Sequence, residues 1–577
     1  MSTNYMEEYR RWMDCPSLSE EEWNDLNSIA EDEKEIENRF FAPLEFGTAG
    51  LRGIMKTGLH NMNIHIIRHA TQAFADVIKA EGPEAMEKGV TIAYDCRNNS
   101  ELFAREAAGV MAANGIFVRI FESLRPTPEL SFAIIHYGAA AGLNITASHN
   151  PKEYNGYKVY WSDGAQLPPQ KAAAIAKRME EIDIFTGYNR CNFQEAVKEG
   201  KIEILGEETD ELFLSNVLNE AINPKAVADA AEDLRIVYTP FHGCGYKIVP
   251  EALHRLGIRH LYPVPEQMVI DGNFPTVISP NPENPEGFYL AVDLAKKVNS
   301  DLIIGTDPDS DRIGTMARGA DGEFVTITGN QLGVLLLDYI ITAKRAAGTL
   351  PENAGAVASI VTTGMARAVA EANDIHFEET FTGFKFMAER VAQWDAAGSY
   401  RYLMAYEESY GYMIGDYVRD KDAVTASMMV AEMAAAYKLR GMTLLDAMQA
   451  LYEKYGWFSE KTLNLVMPGV DGLDKMRSMM TNLRNSLPDE IAGESVVRIR
   501  DYLDGSIYVA GLGKVDHTPI FGSNVLYFEM ADGSTFIIRP SGTEPKIKIY
   551  ILVRGMDKES CTEKIQRFSE YAEKMGA

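Results

Sequence analysis

The chain has 577 residues, of which 46% are hydrophobic and 24% are charged, and its formal net charge is −27. This length is too great for one hydrophobic core and predicts roughly three to five domains. The negative charge argues against nucleic acid and anionic membranes as partners. It also makes local groups of Arg and Lys informative, because an acidic protein that binds a phosphorylated substrate must concentrate its basic side chains at the site.

The cysteines and the N-terminus indicate the compartment. Five cysteines are scattered without CxxC spacing, which is typical of reduced thiols and not of a disulfide framework. The N-terminus is acidic and polar, unlike a secretory signal. No apolar run approaches the ~18 residues that a membrane span requires. We therefore expect a soluble, cytoplasmic protein.

Residues 1–40 are charged, with intermittent apolar positions, and are predicted to be helical. Short β-rich apolar runs then alternate with helical stretches, of which residues 101–114 are one example. The predicted strands are residues 90–94, 117–121, 235–238, 301–305 and 356–361. This alternation predicts βαβ units and parallel-type sheets, the α/β fold class.

The last hundred or so residues show a different pattern. Residues 496–509 and 525–553 are rich in strand and turn signals, and a helix is predicted over 558–574, which indicates an α+β domain. Mild shifts in composition place boundaries near 205, 325 and 460. The predicted domains are therefore residues 1–205, 206–325, 326–460 and 461–577.

The first chemical motif is Asn144–Pro151, which follows a small apolar run. A hydroxyl in a polar loop after a strand lies at the carboxyl edge of a sheet, where ligands bind. Ser148 is a candidate nucleophile or phosphorylated carrier, and His149 is a candidate for proton transfer. Taken alone, the motif is also compatible with an ordinary turn.

The second motif places Asp307, Asp309 and Asp311 at alternate positions directly after a predicted strand. Carboxylates at this spacing can converge on one hard cation, and a bound metal would explain why like charges are grouped. An EF-hand is excluded, because the sixth position is Arg312 instead of Gly and the twelfth is Arg318 instead of Glu. A solvated acidic turn remains the alternative.

Two further motifs offer ligand-binding groups. Arg539–Lys546 combines hydroxyls, glycine and basic side chains between two predicted strands, which suits a phosphate site or else a hairpin turn. Tyr406–Gly411 contains two carboxylates beside a hydroxyl, followed by Arg419–Asp422. Such groups suit recognition of sugar hydroxyls, although a surface loop explains them equally well.

Together, and in this order, the motifs resemble the α-D-phosphohexomutase family, and within it the long-chain phosphoglucomutase/phosphopentomutase branch. Where many relatives have Gly, this chain has Tyr406. The resemblance covers nearly the whole chain. It includes Phe46–Gly53, Tyr94–Arg97, Pro126–Pro128, Asn155–Lys158, Tyr238–Gly243, Pro280–Glu283 and Thr382–Lys385.

The resemblance implies four domains around a central cleft, with three similar α/β mixed-sheet domains and a C-terminal α+β domain. It implies a phosphorylated Ser148 and one Mg²⁺ held by Asp307, Asp309, Asp311 and a phosphoserine oxygen. Glucose 1-phosphate and glucose 6-phosphate would be interconverted through glucose 1,6-bisphosphate, which also serves as activator. Small sugar phosphates are then the expected partners, with the protein either monomeric or dimeric.

The resemblance also implies roles for further residues. The candidates for proton removal are Lys421, Lys158 and His149, with Arg52 assisting by its charge, and the resemblance favours Lys421. Substrate binding is implied for Thr48, Arg312, Lys385, Glu407, Ser409, Arg539, Ser541, Gly542, Thr543 and Lys546.

Several alternatives stay open at this point. The preferred sugar is mannose or a pentose if it is not glucose, because motifs that bind phosphate do not distinguish the sugars. A glucose 1,6-bisphosphate synthase would use the same Ser148 and aspartates. A phosphatase or a non-catalytic sugar-phosphate binder is less consistent with a phosphorylatable serine beside a metal motif and a separate sugar loop.

Overall fold

The computed structural model describes residues 4–47, 50–467, 472–541 and 546–576. The chain divides into two compact units. Unit 1 contains the described residues up to Gly329, together with Val391–Gln393 and Ser409–Thr443. Unit 2 contains Asn330–Arg390, Trp394–Glu408 and the described residues from Leu444 onward.

Three short helices open unit 1: α1 (Tyr5–Met13), α2 (Glu20–Ser28) and α3 (Glu33–Phe40). At the start of α2 the Ser19 hydroxyl accepts from the Glu22 amide and the Glu22 carboxylate accepts from the Ser19 amide. This capping box satisfies amides that the first helical turn leaves without partners. Trp12 and Phe40 are fully buried and meet edge to face, so the predicted N-terminal helices fold onto the core.

The first sheet carries the serine motif. Its elements are β1 (Leu51–Ile54), α4 (Ile64–Ala80), α5 (Pro83–Lys88), β2 (Val90–Tyr94), α6 (Ser100–Ala113), β3 (Val118–Phe121), α7 (Thr127–His136), β4 (Ala141–Ile145), β5 (Tyr154–Trp161), α8 (Pro169–Glu181), α9 (Phe193–Lys198) and β6 (Ile202–Leu205). The strand order is β1-β5-β4-β2-β3-β6. Strands β4, β2, β3 and β6 are parallel, whereas β5 pairs antiparallel with β4 and β1 pairs antiparallel with β5. The loops after β2 and β4 therefore lie at the same edge of the sheet.

The second sheet carries the aspartate motif. Its elements are α10 (Glu207–Asn219), α11 (Pro224–Ala230), β7 (Arg235–Thr239), α12 (Gly245–Leu256), β8 (His260–Pro263), α13 (Tyr289–Val298), β9 (Leu302–Thr306), β10 (Ile313–Arg318) and β11 (Phe324–Ile327). The strand order is β11-β10-β9-β7-β8. Strands β8, β7 and β9 are parallel, β10 pairs antiparallel with β9, and β11 pairs antiparallel with β10. The aspartates occupy the tight turn between β9 and β10.

The next elements are shared between the units. They are α14 (Gly329–Ala347), β12 (Ala354–Ser359), α15 (Gly364–Ala372), β13 (His376–Thr380), α16 (Phe384–Ala397), β14 (Arg401–Glu407), β15 (Gly411–Ile414), α17 (Ala423–Lys438) and α18 (Leu444–Tyr455). In unit 2, β13, β12 and β14 form parallel neighbours in that order. In unit 1, α17 is buried along nearly its whole length, and the Asp422 carboxylate caps its first turn.

The C-terminal part of unit 2 is an antiparallel sheet with helices against one face. Its elements are β16 (Trp457–Val466), α19 (Gly472–Asn485), β17 (Glu490–Ile491), β18 (Glu494–Asp501), β19 (Ser506–Val509), β20 (Gly513–His517), β21 (Leu526–Met530), β22 (Thr535–Pro540), β23 (Lys546–Gly555) and α20 (Lys558–Gly576). The order is β16-β23-β22-β21-β18-β19-β20, and β17 pairs with β18. Phe536 and Phe568 are fully buried in the core between the sheet and α20.

The predicted fold class is confirmed: three α/β domains are followed by a strand-rich C-terminal domain. The strand predictions at residues 90–94, 235–238 and 301–305 match β2, β7 and β9 to within one residue at each end. Among the described helices, none is both long enough and apolar enough to cross a membrane.

Candidate active site

Ser148 lies three residues beyond the end of β4, in a loop at the carboxyl edge of the first sheet. Its backbone has a φ of 51°, in the left-handed region, and the residue is 4% exposed. The Ser148 Oγ donates to Asp307 Oδ2 at 2.8 Å and lies 3.2 Å from His149 Nδ1. The predicted serine and aspartate motifs, 159 residues apart in sequence, are therefore in direct contact in unit 1.

Asp307, Asp309 and Asp311 are all buried, and each offers a carboxylate oxygen within 4.8 Å of the others. Asp307 Oδ1 accepts from the amides of Asp311 and Arg312, which holds the turn closed. Asp309 Oδ1 and Asp311 Oδ1 are buried, and neither accepts a hydrogen bond from any described residue. Because orphaned buried carboxylate oxygens are costly, this donor set fits a hard divalent cation.

Two buried lysines partly neutralise the aspartates. Lys158, on β5, places Nζ 2.7 Å from Asp309 Oδ2 and 3.7 Å from Asp311 Oδ2. Lys421, in the loop before α17, places Nζ 3.2 Å from Asp311 Oδ2. Burial and the neighbouring carboxylates raise the pKa of Asp307 well above its usual range. For Asp309, burial acts in the same direction, but the charge and hydrogen bond of Lys158, a hydrogen bond with Asp307 and the charge of Lys421 together outweigh it, so that the pKa of Asp309 is lowered.

His149 and two arginines complete the surroundings of Ser148. Burial of the His149 ring, together with the charges of Arg312 and Arg52, lowers the pKa of His149 well below its usual value, so its imidazole is neutral at pH 7. Arg52, on β1, donates to Asn150 Oδ1 at 3.0 Å. Arg312 donates through Nη1 to the carbonyl oxygen of Ser409 at 2.7 Å.

In unit 2, the carboxylate of Glu407 lies at the start of α16, where Oε1 accepts from the Gly383 amide at 2.5 Å. Lys385 belongs to the first turn of α16, and its burial lowers its pKa. Glu408 Oε2 accepts from Ser359 Oγ at 3.1 Å. Burial and the charge of Glu407 raise the pKa of Glu408 to about 7.

The predicted phosphate motif also lies in unit 2. Arg539 is near the end of β22, opposite Lys548 on β23, and it hydrogen-bonds with Tyr550. The Ser541 amide donates to the Lys546 carbonyl oxygen at 2.9 Å. Thr48, Gly542 and Thr543, which the sequence also singled out, lie outside the described residues.

The structure thus places the predicted residues in two groups. Unit 1 brings together Ser148, His149, Arg52, Lys158, Lys421, Arg312 and the three aspartates. Unit 2 holds Lys385 and Glu407 at the start of α16, and Arg539, Ser541 and Lys546 at the adjoining ends of β22 and β23. Ser409, predicted to act with Glu407, belongs to unit 1.

Some residues that shape the site were not singled out from the sequence. Thr127 donates through Oγ1 to Asp309 Oδ2 at 3.0 Å, and its amide donates to the Asp309 carbonyl oxygen. Asn144 Nδ2 donates to the Thr127 hydroxyl at 2.8 Å. Arg97 supports the Ser148 loop, and Asp420 contacts Lys421. Thr127 and Arg97 belong to motifs that carried the family resemblance, but nothing in the spacing of those motifs indicated a role for either residue.

Comparison with protein families gives three consecutive matches. Residues 43–184, 211–320 and 328–455 match the family models for the α/β/α domains I, II and III of phosphoglucomutase/phosphomannomutase. Together these models cover more than half of the chain.

Curated relatives match over almost the full length. The phosphoglucomutases of Staphylococcus aureus strains MRSA252 and N315 are each 35% identical to this chain over 544 residues, covering 93% of this chain and 94% of each relative.

Solved structures share the fold at lower identity. A protein of Thermus thermophilus described as a phosphomannomutase has a TM-score of 0.67 and 21% identity, covering 92% of this chain and 99% of that one. The open form of pp63/parafusin from Paramecium, a phosphoglucomutase, has a TM-score of 0.66 and 18% identity, covering 92% and 95%. As its motifs predicted, the chain belongs to the phosphoglucomutase/phosphomannomutase family, the α-D-phosphohexomutases, which are phosphoryl-transferring mutases of the isomerase class.

Proposed function

We propose that this enzyme is a phosphoglucomutase that interconverts α-D-glucose 1-phosphate and glucose 6-phosphate through a phosphoserine at Ser148. The preference for glucose is supported by the Staphylococcus aureus relatives, which are named phosphoglucomutase. The observation that carries the mechanism is the 2.8 Å hydrogen bond from Ser148 Oγ to Asp307 Oδ2. This contact supports a phosphoryl group on Ser148 next to carboxylates that could hold a divalent cation.

The metal in this proposal is one Mg²⁺. Asp307, Asp309, Asp311 and an oxygen of phosphorylated Ser148 would hold it, and the orphaned oxygens of Asp309 and Asp311 support this assignment. When bound, the ion would neutralise charge on the transferring phosphoryl group. The buried lysines at 2.7 and 3.2 Å from the carboxylates then reduce the remaining repulsion.

The first half-reaction transfers the phosphoryl group from Ser148 to the free 6-hydroxyl of glucose 1-phosphate. The new bond joins phosphorus to O6, the bond from phosphorus to Ser148 Oγ breaks, and the electron pair stays on Oγ. The O6 proton passes to an enzyme base, for which Lys421 in its neutral amine form is the leading candidate and Lys158 in the same form is the alternative. The neutral imidazole of His149, whose Nδ1 lies 3.2 Å from Ser148 Oγ, is the third candidate: once it has taken the O6 proton it could pass that proton to Ser148 Oγ.

The second half-reaction transfers the 1-phosphoryl group of glucose 1,6-bisphosphate to Ser148: the bond from phosphorus to Oγ forms and the bond from phosphorus to O1 breaks. The Oγ proton passes to an enzyme base and O1 takes up a proton, which releases glucose 6-phosphate. We propose that Glu407 and Ser409 bind sugar hydroxyls in either orientation of the bisphosphate. The phosphate that is not being transferred would bind Arg539, Ser541, Gly542, Thr543 and Lys546, with Thr48, Lys385 and Arg312 as further substrate contacts. Trace bisphosphate would act as activator by rephosphorylating enzyme that has lost its phosphate.

We also keep the four-domain division as a proposal. It assigns the phosphoserine loop to residues 1–205, the metal loop to 206–325, the sugar loop to 326–460 and the phosphate loop to 461–577.

The proposal is tested by a coupled assay of glucose 1-phosphate conversion with Mg²⁺ and trace glucose 1,6-bisphosphate. Turnover should disappear on chelation and return with Mg²⁺. Ser148→Ala should abolish it, while the exposed Ser486→Ala control should leave it unchanged. Retained activity of Ser148→Ala would overturn the phosphoserine mechanism.

The same assay separates the alternatives. Faster turnover of mannose 1-phosphate or ribose 1-phosphate would make the enzyme a phosphomannomutase or a phosphopentomutase with the mechanism unchanged. No turnover of any monophosphate, with net formation of glucose 1,6-bisphosphate from another phosphoryl donor, would indicate a synthase. Binding without any turnover would indicate a sugar-phosphate binder.

A further inference from the structure

Strand β5 presents two functional side chains toward the aspartates. Side chains two residues apart on a strand lie on the same face, so Lys158 and Tyr160 point the same way. Lys158 reaches Asp309, as described above. Tyr160 is fully buried, and its hydroxyl donates to Asp420 Oδ2 at 2.9 Å. The strand therefore contacts the metal-binding carboxylates directly and Asp420 through a second side chain.

Asp420 is fully buried, and both of its carboxylate oxygens are hydrogen-bonded twice. Oδ2 accepts from Tyr160 and from Gln166 Nε2 at 3.1 Å. Oδ1 accepts from the backbone amide of Lys421 at 2.8 Å and from its Nζ at 3.1 Å. With this set of donors the carboxylate has little freedom to rotate, and its orientation is fixed by the first sheet.

The charge of Asp420 is maintained by the lysines. Burial favours the protonated form, but the charges of Lys421 and Lys158 and the hydrogen bonds outweigh it and lower the pKa of Asp420. Lys421 Nζ is thus shared between two carboxylates, 3.1 Å from Asp420 and 3.2 Å from Asp311. A lysine side chain has a flexible stem of four methylene groups, so the side chain alone does not fix the position of the amine.

We infer that Asp420 is a positioning residue for Lys421: held by Tyr160 and Gln166, it keeps the amine between the two carboxylates and prevents it from pairing fully with Asp311. Two consequences follow. The amine stays within reach of the sugar hydroxyl whose proton it would accept; this consequence rests on the proposed function. Asp311 also stays available to a divalent cation, which does not depend on which sugar is the substrate.

The informative variant is Asp420→Asn, which keeps size and shape but removes the charge. Lys421 would then lose a carboxylate partner at 3.1 Å, would pair more closely with Asp311 and would compete with the cation for it. We expect kcat to fall about 100-fold with KM for glucose 1-phosphate changed less than about 3-fold, since a misplaced group costs about this much. We expect the dissociation constant for Mn²⁺ to rise about 10-fold, as for other residues that orient metal ligands.

Asp422 supplies a matched control on the other side of Lys421. It is equally buried, but its carboxylate accepts from Tyr417, Thr425 and the amides at the start of α17. Asp422→Asn should lower the thermal midpoint, because an amide leaves a donor from Tyr417 or Thr425 without its acceptor, while kcat and the Mn²⁺ dissociation constant of the folded enzyme stay within about 2-fold. Tyr160→Phe should show a smaller form of the Asp420→Asn defect, and Asp420→Glu should restore part of the Mn²⁺ affinity.

The experiment combines steady-state kinetics, isothermal titration calorimetry with Mn²⁺ and thermal unfolding on full-length variants. A fall in kcat at nearly constant KM, together with weaker Mn²⁺ binding, supports the inference. Calorimetry still decides the positioning role if the wild type proves inactive on glucose 1-phosphate. If Asp420→Asn binds Mn²⁺ as the wild type does, or only loses stability as Asp422→Asn does, the inference is wrong.

Discussion

The guanidinium of Arg97 lies against the backbone of the Ser148 loop and donates through Nη2 to the carbonyl oxygen of Ser148 at 2.5 Å. The same group donates to the carbonyl oxygens of Asn150, Pro151 and Tyr154. Its Nε is 3.3 Å from the buried Asp95 carboxylate. One planar fork therefore holds four carbonyls and stabilises the left-handed backbone at Ser148, a conformation that is costly for a residue with a side chain.

Replacing Arg97 with Lys should show how much this fork contributes. The lysine ammonium is a compact group with three donors, and it cannot donate hydrogen bonds to four carbonyl oxygens that surround the plane of a guanidinium. We expect Arg97→Lys to slow phosphorylation of Ser148 about 10- to 100-fold, because the loop would shift by a fraction of an ångström or more. Intact-mass spectrometry after mixing with glucose 1,6-bisphosphate follows the gain of one phosphoryl group directly.

Arg119→Lys is the matched control for this substitution. Arg119 is an arginine of the same sheet that donates to the Lys88 carbonyl and packs over Phe117, remote from Ser148. The control should phosphorylate at the wild-type rate. An Arg97→Lys variant that also does so would show that the loop keeps its shape without the guanidinium fork.

The sequence predicted those parts of the site that are local in the chain. The aspartates alternate within five residues, and the serine follows a small apolar strand, so the sequence pattern alone identified them as candidate site residues. Strand and helix alternation likewise predicted β2, β7 and β9, because strands buried on both faces read as short apolar runs. The antiparallel direction of β5 and β10 was not predicted, because apolar pattern does not encode strand direction.

The supporting residues were missed for a physical reason. Thr127 acts on an aspartate 182 positions away, and Tyr160 on one 260 positions away. Such pairs are made by the packing of separate elements, and nothing in the residues near Thr127 or Tyr160 specifies the partner. A Thr between two prolines and a Tyr on a buried strand are also common core residues, so neither carried a chemical signal.

Thr127 provides the second prediction, on metal affinity. Its hydroxyl donates to Asp309 Oδ2 and accepts from Asn144, which fixes one of the carboxylates that are proposed to bind the metal. Thr127→Val keeps the shape but removes both hydrogen bonds. We expect the Mn²⁺ dissociation constant to rise about 10-fold, in the range found for groups that orient metal ligands, as measured by isothermal titration calorimetry.

Thr315→Val is the control for this loss. Thr315 is also fully buried in unit 1, on β10, but its hydroxyl has no hydrogen-bond partner among the described residues. Its replacement should therefore leave Mn²⁺ binding unchanged and keep or raise stability. Equal Mn²⁺ affinities for both variants would mean that Asp309 needs no support from Thr127.

Gly243 provides the third prediction, because it lets the second sheet approach the aspartate turn. A Cβ at this position would lie 2.4 Å from Pro308 Cα and 2.6 Å from the Pro308 carbonyl oxygen. Both are backbone atoms and cannot swing away, so the turn itself must move. We expect Gly243→Ala to weaken Mn²⁺ binding about 10-fold or more and to lower the thermal midpoint, since overpacking typically costs about 1 to 3 kcal/mol.

Gly287→Ala is the comparison for this steric effect. There the added Cβ would meet only the Phe241 ring and Val277 at 3.5 Å or more, which is ordinary contact. Its Mn²⁺ affinity and stability should stay close to those of the wild type. Wild-type Mn²⁺ binding by Gly243→Ala would contradict the view that this glycine sets the position of the turn.

The last prediction concerns pH and unit 2, where Glu460 on β16 is held by a hydrogen bond from Thr363. Burial raises the pKa of Glu460 to about 7, whereas an unfolded glutamate titrates near 4.5. Between these values the folded state binds the proton that the unfolded state has released, so this group makes stability fall as pH rises. Below pH 4.5 it has no such effect, and above pH 7 the loss is complete.

Glu460→Gln should therefore match the wild type near pH 4.5 and exceed its stability by about 1 to 3 kcal/mol above pH 7. Thermal unfolding from pH 5 to pH 8 measures this difference, with the exposed Glu453→Gln on α18 as control. A constant offset between Glu460→Gln and wild type across that range would show that Glu460 does not titrate there.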